Sequence, residues 1–343
     1  MRRGKLVTTL LCTAMALGML TGCGKESDST TTEATTEVTT EVATEEATVL
    51  DAATDEDADD ENYDTGDATL DNVRNQDEIG DNELLVVSFG TSYNDSRRLT
   101  IGAIEDKLDD KFGDTYSVRR GFTSQIIIDH VKSRDDIAID NVKEALDRAV
   151  DNGVKNLVVQ PTHLMNGLEY NELVDEIANY SDAFDSVSIG EPLLTSDDDF
   201  DKVITAITDA TAEYDDGETA ICFMGHGTEA DSNEVYAKMQ ELLTEKGYDN
   251  YYVGTVEATP SLDDVLALVK AGDYKRVVLR PLMIVAGDHA NNDMAGDDDD
   301  SWKSAFEDAG YEVICVVNGL GELPAIQDIF VEHAQAAIDA ANK

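Results

Sequence analysis

The chain has 343 residues, with 73 acidic against 25 basic side chains and a formal net charge of −48. That balance excludes nucleic acid as a partner, because phosphate contacts need the opposite sign. It favours cations, and it obliges any anionic ligand to find a local cluster of arginines.

The first element in chain order is a leader. Arg2, Arg3 and Lys5 precede the apolar run 6–20, which is too short and too rich in Thr, Gly and Ala for a membrane span, so residues 1–22 read as a cleaved signal peptide. Leu20-Thr21-Gly22-Cys23 resembles the lipobox of bacterial lipoproteins. It implies a mature chain that starts at a lipidated Cys23, anchored to the cell membrane on its extracytoplasmic side. From 23 to 82 the chain is dominated by Thr, Glu, Asp and Ala, with few large apolar residues. Such a segment cannot bury enough apolar surface to offset its ordering entropy. It is expected to be a disordered acidic tether, stretched by its own charge.

Past residue 82, short runs rich in Val, Ile and Leu alternate with amphipathic stretches. Strands are predicted at 84–89, 157–160, 187–189, 220–224, 252–256, 277–280 and 313–317, and helices at 99–112, 138–152, 170–180, 200–214, 233–246, 262–271 and 302–309. Continuously apolar strands suit a parallel sheet covered on both faces, so the fold class is α/β with mostly parallel sheets. Cys222 and Cys315 fall inside strands with no CxxC or zinc-type spacing, which points to a structural role and leaves a disulfide between them open. An internal repeat organises the rest. Leu85-Val86-Val87-Ser88-Phe89-Gly90-Thr91 matches Ile221-Cys222-Phe223-Met224-Gly225-His226-Gly227-Thr228, and Val158-Val159-Gln160-Pro161 matches Val278-Leu279-Arg280-Pro281. Two similar Rossmann-like lobes, 83–215 and 216–343, are therefore expected around a cleft, with ligands bound beyond the carboxyl ends of the strands.

Of five histidines, three lie in loops just after strands: His163, His226 and His289. Glycines on both sides of His226 leave its imidazole open, which suits metal ligation or proton transfer. Glu191 also follows a strand and is the candidate carboxylate beside them. Two His and one carboxylate with open positions suit a transiently held divalent metal. His130 and His333 sit in helical contexts and read as surface or packing residues.

The motifs Val87-Ser88-Phe89-Gly90-Thr91-Ser92, Gly121-Phe122-Thr123-Ser124, Gln160-Pro161-Thr162-His163, Met224-Gly225-His226-Gly227-Thr228, Val253-Gly254-Thr255-Val256-Glu257 and 287–296 are together similar to those of the CbiK-type sirohydrochlorin cobaltochelatases, class II chelatases related to ferrochelatase. The resemblance runs from about residue 83 to the C-terminus. It implies two lobes around a tetrapyrrole cleft, with His163 and His226 as catalytic, proton-removing residues and His163, Glu191 and His226 as metal ligands. Thr91, Ser92, Arg119, Ser124 and His289 would contact the substrate. It implies a tetrapyrrole and a divalent metal (Co²⁺, with Fe²⁺ or Ni²⁺ as alternatives) as substrates and no organic cofactor. The sequence equally admits an extracytoplasmic protein that binds and transfers a tetrapyrrole or metal without turnover, and it leaves open whether the chain is a homo-oligomer. Arg97 and Arg98, with Arg119 and Arg120, would either grip the carboxylates of the ring or pair with the protein's own acids.

Overall fold

The structure, a computed structural model, describes residues 65–341. The signal peptide, Cys23 and most of the expected tether lie outside the described residues. Two four-stranded, wholly parallel sheets carry the fold. The first contains β1 (Asn82–Ser88), β2 (Ser117–Phe122), β3 (Asn156–Pro161) and β4 (Ser186–Ile189) in the order β2-β1-β3-β4. The second contains β5 (Thr219–Gly225), β6 (Tyr251–Thr255), β7 (Arg276–Pro281) and β8 (Glu312–Cys315) in the order β6-β5-β7-β8. The repeat extends to register: Pro161 lies opposite Val87 on the first central strand, and Pro281 opposite Met224 on the second.

Helices α1 (Asn94–Arg97), α2 (Ala103–Phe112), α3 (Gln125–Asp135), α4 (Val142–Asp151), α5 (Leu168–Ala178) and α6 (Asp197–Asp209) accompany the first sheet. The second half adds α7 (Glu234–Glu245), α8 (Leu262–Ala271), α9 (Trp302–Asp308) and α10 (Pro324–Ala341). Side chains of the central strands alternate between two buried layers, as strands covered on both faces must. Leu85 and Val87 pack into an outer layer with α4 and α5, while Ala220, Cys222 and Met224 pack with α8 and α9. Leu84 and Val86 of β1, and Ile221 and Phe223 of β5, all join one inner core with α2, α6, α7 and α10. The two sheets thus share a single hydrophobic layer. Both cysteines of this region are free thiols. Among the described residues no helix is long and apolar enough to cross a membrane.

Several elements depart from the sequence expectation, among them helices α1 and α3, which lie outside the predicted helices. Strand β2 was not predicted, because Arg119 and Arg120 interrupt its apolar run; both are buried in ion pairs rather than turned to solvent. Helix α10 was not among the predicted helices, and although the second lobe was expected to run to residue 343, it packs against α2, α6, β3 and β4 of the first. Residues 65–80, expected to belong to the tether, are laid along the first lobe instead. Charge holds them there: Asp71 and Arg74 are buried in ion pairs with Arg97, Arg120 and Glu105.

Candidate metal centre

The carboxyl ends of three adjacent strands meet at one place. His226 follows the central strand β5, Glu257 follows its neighbour β6, and His289 follows β7 on the other side. One ligand atom from each lies within 4.8 Å of the other two. The imidazoles of His226 and His289 meet edge to face with ring centroids 4.6 Å apart, and His226 Nδ1 is 3.8 Å from Glu257 Oε2. Donor atoms around one ion with bonds of about 2.1 Å lie roughly 3–3.5 Å apart, so small side-chain rotations close this group on a metal. All three side chains keep a solvent-exposed edge, leaving a path for an ion.

Local chain geometry fixes which nitrogens are available. His226 Nδ1 lies 2.8 Å from the Gly227 carbonyl, so Nδ1 carries the hydrogen and Nε2 keeps the lone pair. Gly227 adopts φ +90°, where a side chain would also collide with Ala258 and Thr255. The Gly227 amide in turn donates to the Tyr236 hydroxyl at 3.3 Å. His289 Nδ1 donates to Asp293 Oδ2 at 2.8 Å, one turn further along the π-helical segment Ala290–Met294. A carboxylate behind a metal-facing imidazole sets its tautomer and raises its basicity. Burial works to lower the His289 pKa, but the hydrogen bond and charge of Asp293, with Glu257 and Asp288, carry it above the usual histidine value.

His163 stands apart from this group. It follows β3, its backbone carbonyl accepts from the Leu193 amide, and both ring nitrogens are sealed from solvent with no hydrogen-bond partner. Burial, opposed only by Glu169, pushes its pKa down to about 4, so it is neutral at physiological pH with an uncommitted lone pair. The loop bearing it reaches the second lobe, where Gly167 lies against Ser232 of the loop after β5.

Glu191, expected as a metal ligand, is exposed and stands outside the His226 group. Its backbone carbonyl accepts from Gln160 and from His333, and His333 also bonds Asp199, which makes His333 a packing residue that joins α10 to the first lobe. Thr91 is buried beneath the His289 loop, where a methyl on Gly287 would come within 3.1 Å of Thr91 Oγ1. Ser92 accepts through its carbonyl from Arg134, and Ser124 caps α3. Arg119 is no substrate contact. It is fully buried, 3.2 Å from Glu83 and 3.0 Å from Asp140, and has no route to a ligand. Glu257 stood in a motif without a role, yet its place just past the strand beside β5 was the signal for it.

Residues 82–339 match the family of cobalt chelatases (CbiK). The chain belongs to that family. A sirohydrochlorin cobaltochelatase of Salmonella typhimurium is 38% identical over 258 residues, covering 75% of this chain and 97% of its own. Another from Nitratidesulfovibrio vulgaris is 33% identical over 187 residues, 54% of this chain and 66% of its own. Among solved structures, SirB from Bacillus subtilis with Fe³⁺ superposes with a TM-score of 0.53 at 13% identity, over 77% of this chain and 98% of that one. The two-lobed parallel fold is therefore the chelatase fold. In this cobalt chelatase the family-matched region begins with β1, and residues 65–81 precede it.

Proposed function

We propose that this protein is a sirohydrochlorin cobaltochelatase, inserting Co²⁺ into the tetrapyrrole with release of two pyrrole N–H protons. The observation that carries the reading is the convergence of His226, Glu257 and His289 from three neighbouring strand ends, in a chain of the cobalt chelatase family. Insertion requires stripping water from the ion, holding it against one face of the ring, and accepting two protons. Two imidazoles and a carboxylate replace water on a first-row divalent ion without binding it irreversibly. His163, neutral and uncommitted, suits a proton acceptor or a metal ligand from the opposing lobe. A positioned base contributes about 10²–10⁴-fold, and joint binding of ion and ring adds the proximity term. The metal set is thus His226, Glu257 and His289, with His163 supplied from the other lobe. Glu191 enters only if its loop moves toward the ion.

The test is anaerobic incubation of the purified chain with sirohydrochlorin and Co²⁺, followed by absorbance. Catalytic conversion of the metal-free spectrum supports the reading. Stoichiometric capture of ring or metal without turnover replaces it with binding and transfer.

We also infer that the enzyme is carried on the extracytoplasmic face of the membrane by lipid on Cys23, from the lipobox-like Leu20-Thr21-Gly22-Cys23 and the acidic stretch after it. Incorporation of labelled fatty acid that disappears in Cys23→Ala is the expected result; equal labelling of both chains would end the inference.

A further inference from the structure

The segment 65–80 lies outside the family-matched region, which begins at residue 82, yet it is built into the first lobe. It runs along the free edge of β2, the outermost strand of its sheet. The Arg120 amide donates to the Arg74 carbonyl at 3.1 Å, and Gln76 Nε2 donates to the Val118 carbonyl at 3.0 Å. At its other end the Asp95 amide donates to the Thr65 carbonyl at 2.7 Å. Covering an open sheet edge is one consequence.

The second consequence concerns Asp71. Its carboxylate, almost wholly buried, accepts from Arg97 Nε at 2.7 Å and from Arg120 Nη1 at 2.6 Å. Arg97, fully buried, spends its other nitrogens on the loop after β1: Nη1 donates to the Thr91 carbonyl at 3.1 Å and Nη2 to Asn94 Oδ1 at 2.5 Å. That loop braces the segment before His289. Thr91 lies against Gly287, and Ser96 Oγ accepts from the Ala286 amide at 3.0 Å. A continuous path of short polar contacts and packing thus leads from the strap to an imidazole of the metal group.

We propose that Asp71 is a positioning residue for the metal centre: through Arg97, the loop 91–93 and helix α1, this strap fixes where His289 stands. The proposal rests on His289 serving the chelatase site, but the placement of the ring is testable without that reading. A buried guanidinium whose carboxylate is removed seeks another partner, and Arg97 already holds Thr91 and Asn94 through its other nitrogens.

The experiment uses the full chain in three variants, Asp71→Asn, Asp71→Glu and Gln76→Ala. The last loosens the strap at a point that does not touch Arg97. Imidazole ¹⁵N–¹H spectra, assigned by single His→Gln variants, report each ring directly. The expected result is that Asp71→Asn moves the His289 resonances while leaving those of His333 in place, that Asp71→Glu brings them back toward wild type, and that Gln76→Ala moves none. In the insertion assay kcat falls roughly tenfold in Asp71→Asn with KM for the ring little changed. His289 resonances unmoved in a folded Asp71→Asn, or equally moved in Gln76→Ala, overturn the proposal. Should Asp71→Asn fail to fold, Arg97→Lys decides by the same criterion, because a lysine cannot hold Asp71, Thr91 and Asn94 together as the guanidinium does: a shift confined to the His289 neighbourhood supports the proposal, and none refutes it. Wild-type protein that inserts no cobalt sinks the chelatase reading alone, since the spectra still settle what Asp71 does.

Discussion

His226 and His289 stand edge to face, ring centroids 4.6 Å apart at 85°, each with its Nδ1 already committed to an acceptor, the Gly227 carbonyl and the Asp293 carboxylate. In the neutral form of each ring the lone pair is on Nε2, so both rings are oriented as ligands before any ion arrives. His226→Ala removes the ligand on the central strand, the one shared by every arrangement of the site. Insertion activity is expected to fall to background, with the thermal midpoint within a few degrees of wild type because the side chain is half exposed. An insertion rate like wild type in purified His226→Ala would remove that residue from the chemistry.

Asp293 is expected to set the pH at which the proposed metal centre loads. A proton on His289 competes with the metal, and Asp293 is the main partner that holds that proton above the usual histidine pKa. Co²⁺ affinity should therefore rise with pH through that raised value. In Asp293→Asn the proton is held less well, so the midpoint of the rise moves to lower pH. The less basic imidazole also binds more weakly at saturation, by about 10–100-fold. Titration with Co²⁺ between roughly pH 5.5 and 8.5 reads both effects, and a midpoint that stays put or moves upward contradicts the assignment.

Glu257, not the expected Glu191, lies with His226 and His289, and is the carboxylate we propose for the metal. Glu257→Gln is isosteric and keeps the fold, and it removes the one anionic ligand of the group. Co²⁺ affinity is expected to drop by at least tenfold, whereas Glu191→Gln changes it less. Isothermal titration of the two variants side by side decides between the carboxylates, and a larger loss in Glu191→Gln would reverse the order.

Much of this architecture was legible from residues. The paired motifs around β1 and β5, and around β3 and β7, marked the repeat because identical backbone roles at strand ends call for the same Gly and Pro residues. His226 and His289 were visible as loop histidines just past strands, but His289 was expected to contact the substrate rather than to join His226 and Glu257. What stayed hidden was long-range charge. Strand β2 reads as polar because Arg119 and Arg120 find their acids at Glu83, Asp140, Asp71 and Glu105, positions up to 49 residues away. The same partners order residues 65–80, where composition alone argued for a tether. Glu257 was missed because a carboxylate gains meaning only when sheet order sets β6 beside β5.

Arg119 supplies a direct test of that correction. A guanidinium with no exposed surface, facing Glu83 and Asp140, belongs to stability and not to ring recognition. Arg119→Met leaves the buried Glu83 without its cation, while Asp140 keeps Arg148; losing one partner of a buried pair costs about 3–5 kcal/mol. Denaturant unfolding should show that loss. KM for the tetrapyrrole, measured on the protein that remains folded, should match wild type; a large rise in KM at unchanged stability would restore Arg119 to the substrate site.

His163 ties the site to acid stability. Burial lowers its pKa in the folded protein to about 4, against about 6.5 in an unfolded chain. Between those values the unfolded chain takes up a proton that the folded protein refuses, so the contribution is fully present above about pH 6.5 and is lost as pH falls toward 4, with a slope of at most ~1.4 kcal/mol per pH unit. His163→Phe fills a similar volume and cannot titrate. Carboxylates that also protonate in this window are common to both proteins and cancel in the comparison. Urea unfolding at about pH 7 and about pH 4.5 should therefore show a smaller fall in stability for His163→Phe than for wild type. The same variant should lose insertion activity if the sealed imidazole accepts a pyrrole proton. Parallel stability curves for the two proteins would mean that His163 titrates normally, and that its nitrogens are not held neutral for the incoming ring.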